Sequence, residues 1–100
     1  MGYRRAALKT KRIVDLKLLR AIRELPCLAC DGAQQTETEP DHVKTRGSGG
    51  NDSAENVWPL CRQHHCDRHL KGLRYMTENF EKCFDWMKEN QPMFFERGKK

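Results

Sequence analysis

Cys27-Leu28-Ala29-Cys30 separates two thiols by two residues, the spacing at which one tight turn can present both sulfurs to a single tetrahedral zinc. About thirty residues further on, Cys61-Arg62-Gln63-His64 repeats that gap at the predicted start of a helix. Together the four residues make a Cys₃His set. Such a set fills the coordination sphere and leaves no position for a substrate, so an ion held there is structural and contributes folding energy. A thioredoxin-like redox pair at Cys27 and Cys30 is the competing reading, although the flanks lack the strand-helix alternation of that context. Cys66 is an alternative to His64 as fourth ligand, with the gap from Cys61 lengthened to four. Cys83 falls within an apolar stripe and reads as a buried, inert thiol.

A second set of residues offers different chemistry. His65 and His69 are four apart on the same predicted helix and therefore share a face, on which His64 does not lie. With Asp41 they make a carboxylate and two imidazoles, a set that leaves positions on a divalent ion for water and a phosphate oxygen. If the segment around Asp41 is extended, the neighbouring His42 points the other way and stays off the ion, free to act as a base. Taken singly, each histidine is better read as an ordinary surface residue; the spacing is what assigns all four of them.

The elements that must position these residues are legible in outline. Ile13, Val14, Leu16, Leu18, Leu19, Ile22 and Leu25 recur near helical spacing, with Asp15 as N-cap and Pro26 as a stop, which predicts a helix over residues 15–24. Residues 31–40 are polar and read as a loop, and Gly47-Ser48-Gly49-Gly50-Asn51-Asp52 as a second, flexible one. Short apolar-containing pieces around His42-Val43-Lys44 and Val57-Trp58 can pair as a hairpin across that glycine loop. A helix is predicted over Arg62 to Leu70. Tyr75, Met76, Phe80, Cys83, Phe84, Trp86 and Met87 repeat at three and four residues, which predicts an amphipathic helix over 75–91 ending before Pro92. Residues 1–12 are basic, with few apolar residues, and read as a loose arm.

The chain has 100 residues, 37% apolar and 33% charged, which suits one soluble domain with a thin core that a bound metal would help to stabilise. No apolar run approaches the length of a membrane span. The basic N-terminus lacks the apolar stretch of a signal peptide, which gives the expectation of a cytoplasmic protein whose cysteines are metal ligands or thiols rather than disulfides. The net charge is +5, with basic ends around an acidic middle. Two basic flanks suit a polyanion, though a solvated surface that binds nothing has the same composition.

Cys27-x-x-Cys30, Asp41-His42-Val43, Asn56-Val57 and Leu60-Cys61-x-x-His64-His65-x-x-x-His69 resemble, in order and spacing, the HNH endonucleases supported by a zinc-ribbon-like site. The match covers residues 27–69. It implies an α+β fold with a small ββα-metal core and zinc knuckles, flanked here by the N-terminal and C-terminal helices, in a single domain over 1–100. It also implies Asp41, His65 and His69 as ligands of a catalytic Mg²⁺, Mn²⁺ or other divalent ion, His42 as general base, and Asn56 as the residue that orients His42 through its side-chain carbonyl. The second knuckle is Cys-x-x-His where many relatives have Cys-x-x-Cys, and Asp41 stands where others have histidine.

The activity implied is hydrolysis of DNA phosphodiesters to 5′-phosphate and 3′-hydroxyl ends, in the phage, restriction or mobile-element settings such small proteins serve. Lys44, Arg46, Arg62, Arg68, Lys71 and Arg74 lie close to the expected ligands and are the expected phosphate contacts, with the basic arm. Two other classes use the same residues less fully. A non-catalytic zinc-stabilised DNA-binding module leaves His42 unused, and a protein-interaction domain also leaves His65 and His69 idle. Gly47 to Gly50 has no Gly-Lys-Ser/Thr ending and is not a nucleotide-binding P-loop.

Overall fold

The computed structural model describes residues 12–97, so the basic arm lies outside it except for Arg12. Helix α1 spans Leu16–Arg23 and starts as expected, with the Asp15 carboxylate accepting from the Leu18 N–H at 3.1 Å. Arg20 and Arg23 in its last turn suit the negative end of the helix dipole. Leu19 and Ile22 turn inward onto Val57.

Strands β1 (Thr38–His42) and β2 (Val57–Cys61) pair antiparallel, with Pro40 opposite Pro59, Asp41 opposite Trp58 and His42 opposite Val57. A hairpin across the glycine loop forms as expected, but β1 lies earlier than the expected His42-Val43-Lys44 piece and shares only His42 with it, so part of the 31–40 segment read as loop is strand. Pro40 is tolerated for a specific reason. The Val43 N–H donates to the Asn56 carbonyl and the Arg62 N–H to the Glu37 carbonyl, so the antiparallel alternation makes Pro40–Pro59 a pair whose N–H groups the ladder does not use.

The two faces of this small sheet are covered differently. By strand alternation Val57, Thr38 and His42 lie on one face, under α1; Glu39, Asp41, Trp58 and Leu60 lie on the other. On that second face pack α2 (Arg62–Lys71), α3 (Leu73–Asn79), α4 (Glu81–Asn90) and the short α5 (Met93–Arg97). Their core joins Trp58, Leu60, Met76, Cys83 and Met87 to Cys27, Ala29 and Cys61.

The single helix expected over 75–91 is two helices. Phe80 is extended (φ −131°, ψ 112°), and its ring meets His64 edge-on at 5.1 Å, so tertiary packing overrides the unbroken apolar periodicity. No helix among the described residues is long and apolar enough to cross a membrane.

Candidate functional site

Helix α2 carries two clusters on different faces. On one, His64 meets Cys27, Cys30 and Cys61, the four ligating atoms lying within 4.8 Å of one another. The Nδ1 of His64 is 3.6 Å from the sulfurs of Cys27 and Cys30 and 3.2 Å from that of Cys61; Cys30 and Cys61 are 3.6 Å apart. A tetrahedron with zinc–sulfur bonds of about 2.3 Å has edges of about 3.8 Å, so the donor set fits zinc in kind and in spacing. Cys27 and Cys61 are buried and Cys30 and His64 half-buried, and four protein ligands would leave no position on the ion for a substrate. Cys66 is exposed and stands outside it, so His64, not Cys66, is the fourth member.

The local fold explains the convergence. The Leu28 N–H donates to the Pro59 carbonyl at 3.0 Å, pinning the Cys27–Cys30 turn along the outer edge of β2, whose last residue is Cys61. Burial pushes the Cys61 thiol up, but the His64 backbone N–H, the Thr36 hydroxyl and the His64 ring outweigh it and bring it down to about 6. Cys30 moves the opposite way, to about 12, because it is partly desolvated and its thiolate would face Cys61 and Cys27. One thiolate thus forms readily and the next is opposed, an imbalance that a divalent cation relieves. Cys83 is fully buried and pushed up to about 12, first by burial, and stays an inert core thiol.

On the other face of α2, Asp41, His65 and His69 converge, their ligating atoms also within 4.8 Å of one another. Asp41 Oδ1 lies 3.1 Å from His65 Nε2 and 3.2 Å from His69 Nε2. Its Oδ2 accepts from Trp58 Nε1 at 2.7 Å and Arg68 Nε at 2.9 Å. One carboxylate oxygen is therefore committed to the scaffold and the other faces the imidazoles. Burial pushes Asp41 up, yet the His65 and Trp58 hydrogen bonds and the Arg68 charge hold it below the usual carboxylate range. The carboxylate and two imidazoles suit a divalent ion with open positions, because they line a cavity of about 620 Å³ together with Thr45, Arg46 and Gly47, and His69 is half exposed.

Glu39 was not among the expected site residues. Its Oε1 lies 2.8 Å from His65 Nδ1, so it holds that nitrogen as donor and turns Nε2 toward Asp41. His65 is raised by Asp41 first, against its burial, and by Glu39. A signal did exist: Glu39 is two residues before Asp41, on the same face of any strand through both.

His42 stands apart from the ligands but lines the same cavity, which wraps around the open edge of β1 and so takes residues from both faces of the sheet. Its Nε2 contacts Asp52 Oδ1 at 2.7 Å, a second residue missed in the sequence. Asn56 does not orient His42. Its side chain accepts from the Lys44 N–H and donates to the carbonyls of Lys44 and Asn51, clamping the connection between the strands. The glycine loop expected to be flexible is fastened by these bonds, and Gly50 passes so close to Lys44 that a Cβ there would sit 1.7 Å from the Lys44 carbonyl oxygen.

Arg68, expected on phosphate, is instead 9% exposed: besides Asp41 it donates to the carbonyls of His42 and Val43 at 3.0 and 2.8 Å. Lys44, Arg46, Arg62, Lys71 and Arg74 are exposed as expected, although Arg62 pairs with Glu39 at 3.1 Å and the Lys71 ammonium lies over the Tyr75 ring. Arg12, placed in the loose arm by its sequence, contacts Asp52 Oδ1 at 3.1 Å. Comparison with protein-family models, curated proteins and solved structures finds no match.

Proposed function

We propose that the chain is a metal-dependent DNA endonuclease of the HNH type, with β1, β2 and α2 as a ββα-metal core braced by a structural zinc. One observation carries this reading: Asp41, His65 and His69 converge on an open cavity that also holds His42, an imidazole outside the ligand set. The order of hairpin then helix, the exposed Arg46 that lines the cavity, and the further exposed Lys44, Lys71 and Arg74 support the same conclusion.

Asp41, His65 and His69 would hold the catalytic ion, which supplies Lewis-acid stabilisation of the charge that builds on the phosphate and on the leaving oxygen. His42 has its Nε2 toward the Asp52 carboxylate, which leaves the Nδ1 lone pair to take a proton from water. The water oxygen bonds to phosphorus, the bond from phosphorus to the 3′ oxygen breaks, and that oxygen leaves with a proton from solvent. His42 returns its own proton to bulk water. The ends produced are a 5′-phosphate and a 3′-hydroxyl.

Purified, zinc-loaded protein incubated with supercoiled plasmid and Mg²⁺, Mn²⁺ or Ni²⁺ tests the reading. Conversion to nicked or linear DNA that EDTA stops and His42→Ala lowers by roughly 10²–10⁴-fold is the expected result. Plasmid retarded in a gel but never cut, with or without metal, would identify a non-catalytic zinc-stabilised DNA-binding module instead.

A further inference from the structure

We propose that Asp52 is the positioning residue for His42, and that the segment from Arg12 to Asp15 completes the active site by clamping the Asp52 carboxylate; the inference rests on the nuclease reading above. Asp52 is 2% exposed, and both of its oxygens are engaged. Oδ1 faces His42 Nε2 at 2.7 Å and Arg12 Nη1 at 3.1 Å, while Oδ2 accepts from the Asp15 N–H at 2.8 Å. Two further bonds close the clamp: the Asp52 N–H donates to the Ile13 carbonyl at 2.9 Å, and the Ile13 N–H to Asn51 Oδ1 at 2.7 Å. The carboxylate is held from two sides and cannot rotate without breaking at least one of these.

The chemical consequence follows from what a carboxylate can do. Ionised, it only accepts, so His42 Nε2 must carry the proton and Nδ1 keeps its lone pair. Asp52 stays ionised because three donors, led by His42 and joined by the Asp15 N–H and Arg12, outweigh its burial and hold it below the usual carboxylate range. When His42 takes a proton from water its ring becomes cationic, and the neighbouring negative charge stabilises it. Asn56, the expected orienter, has its side chain committed to backbone groups of Lys44 and Asn51, so Asp52 takes the role.

The test compares wild type, Asp52→Asn and Asp52→Ser at a temperature where thermal melts show each folded. Cleavage of a DNA duplex with Mn²⁺ gives kcat, KM and the half-saturating Mn²⁺ concentration. The ¹⁵N shifts of His42, read without Mn²⁺, report which ring nitrogen is protonated. Expected is a fall in kcat of about 10- to 100-fold in both variants, part of the roughly 10²–10⁴ that general-base catalysis supplies, with KM and metal requirement within about twofold. In Asp52→Ser the His42 ring moves from the Nε2–H form toward a mixture. Unchanged kcat in both folded variants, or an unchanged His42 tautomer in Asp52→Ser, would overturn the proposal. A tautomer change in a protein whose wild type cuts no DNA would retain the positioning pair and reject the nuclease reading.

Discussion

His64 and His65 are neighbours on one helix, yet they serve clusters held together in opposite ways. The Cys27, Cys30, Cys61 and His64 cluster brings three sulfurs and an imidazole to contact distance with one thiolate opposing the next, an arrangement that a cation would stabilise. The Asp41, His65 and His69 cluster is already braced by protein groups: Trp58 and Arg68 on the carboxylate, Glu39 on the imidazole. In the proposed reading an ion would be a structural member of the first, whereas the second is shaped by protein groups and lines an open cavity. Closure goes with stability, and bracing by second partners goes with reactivity.

The largest way to break this contrast is to remove a sulfur. Cys61→Ser, or extraction of the zinc with a strong chelator, should unfold the protein, because structural zinc supplies roughly 10 kcal/mol or more and the whole domain is stable by only about 5–15. Loss of the helical circular dichroism signal checks this. On the other face of the same helix, removing the exposed ligand with His69→Ala should leave the urea midpoint nearly unchanged while the second ion is lost.

A smaller effect is expected at Arg68, which fastens α2 to the end of β1. Arg68→Leu leaves Asp41 buried without its charged partner and should cost about 3–5 kcal/mol in equilibrium unfolding. Smaller again, Glu39→Gln should weaken binding of the second ion about 10- to 100-fold in Mn²⁺ titrations, with the zinc content unchanged.

The smallest effect concerns acid. Asp52 is held below its ordinary range, so the stability it contributes is complete above about pH 4 and is lost as pH falls through its lower folded value. Urea midpoints followed downward from pH 6, over the range in which both proteins keep their zinc, should fall less steeply for Asp52→Asn than for wild type.

The parts of this design that were legible in the sequence are those that rest on local spacing. The two Cys/His pairs, the i, i+4 histidines and the Asp15 cap each follow from the geometry of one turn or one helix, and the structure brings each together as expected. What was not legible depends on register and on distant chain. Pro40 reads as a loop residue until Pro59 is known to face it. Arg68 reads as a phosphate contact until the register sets Asp41 and Trp58 side by side. Asp52 reads as a turn residue, since nothing local shows that Gly50 lets the chain pass close enough to return it beneath His42. Phe80 breaks a helix that the apolar period carries straight through, because its partner, His64, is sixteen residues away in sequence.

Anomalous diffraction from crystals grown with zinc and soaked in Mn²⁺, recorded at both absorption edges, tests the central claim most directly. The expected map has a zinc peak enclosed by Cys27, Cys30, Cys61 and His64 and a separate manganese peak between Asp41, His65 and His69, with His42 bonded to neither. A single peak shared by the two faces of the helix, or a metal bonded to the His42 ring, would contradict it.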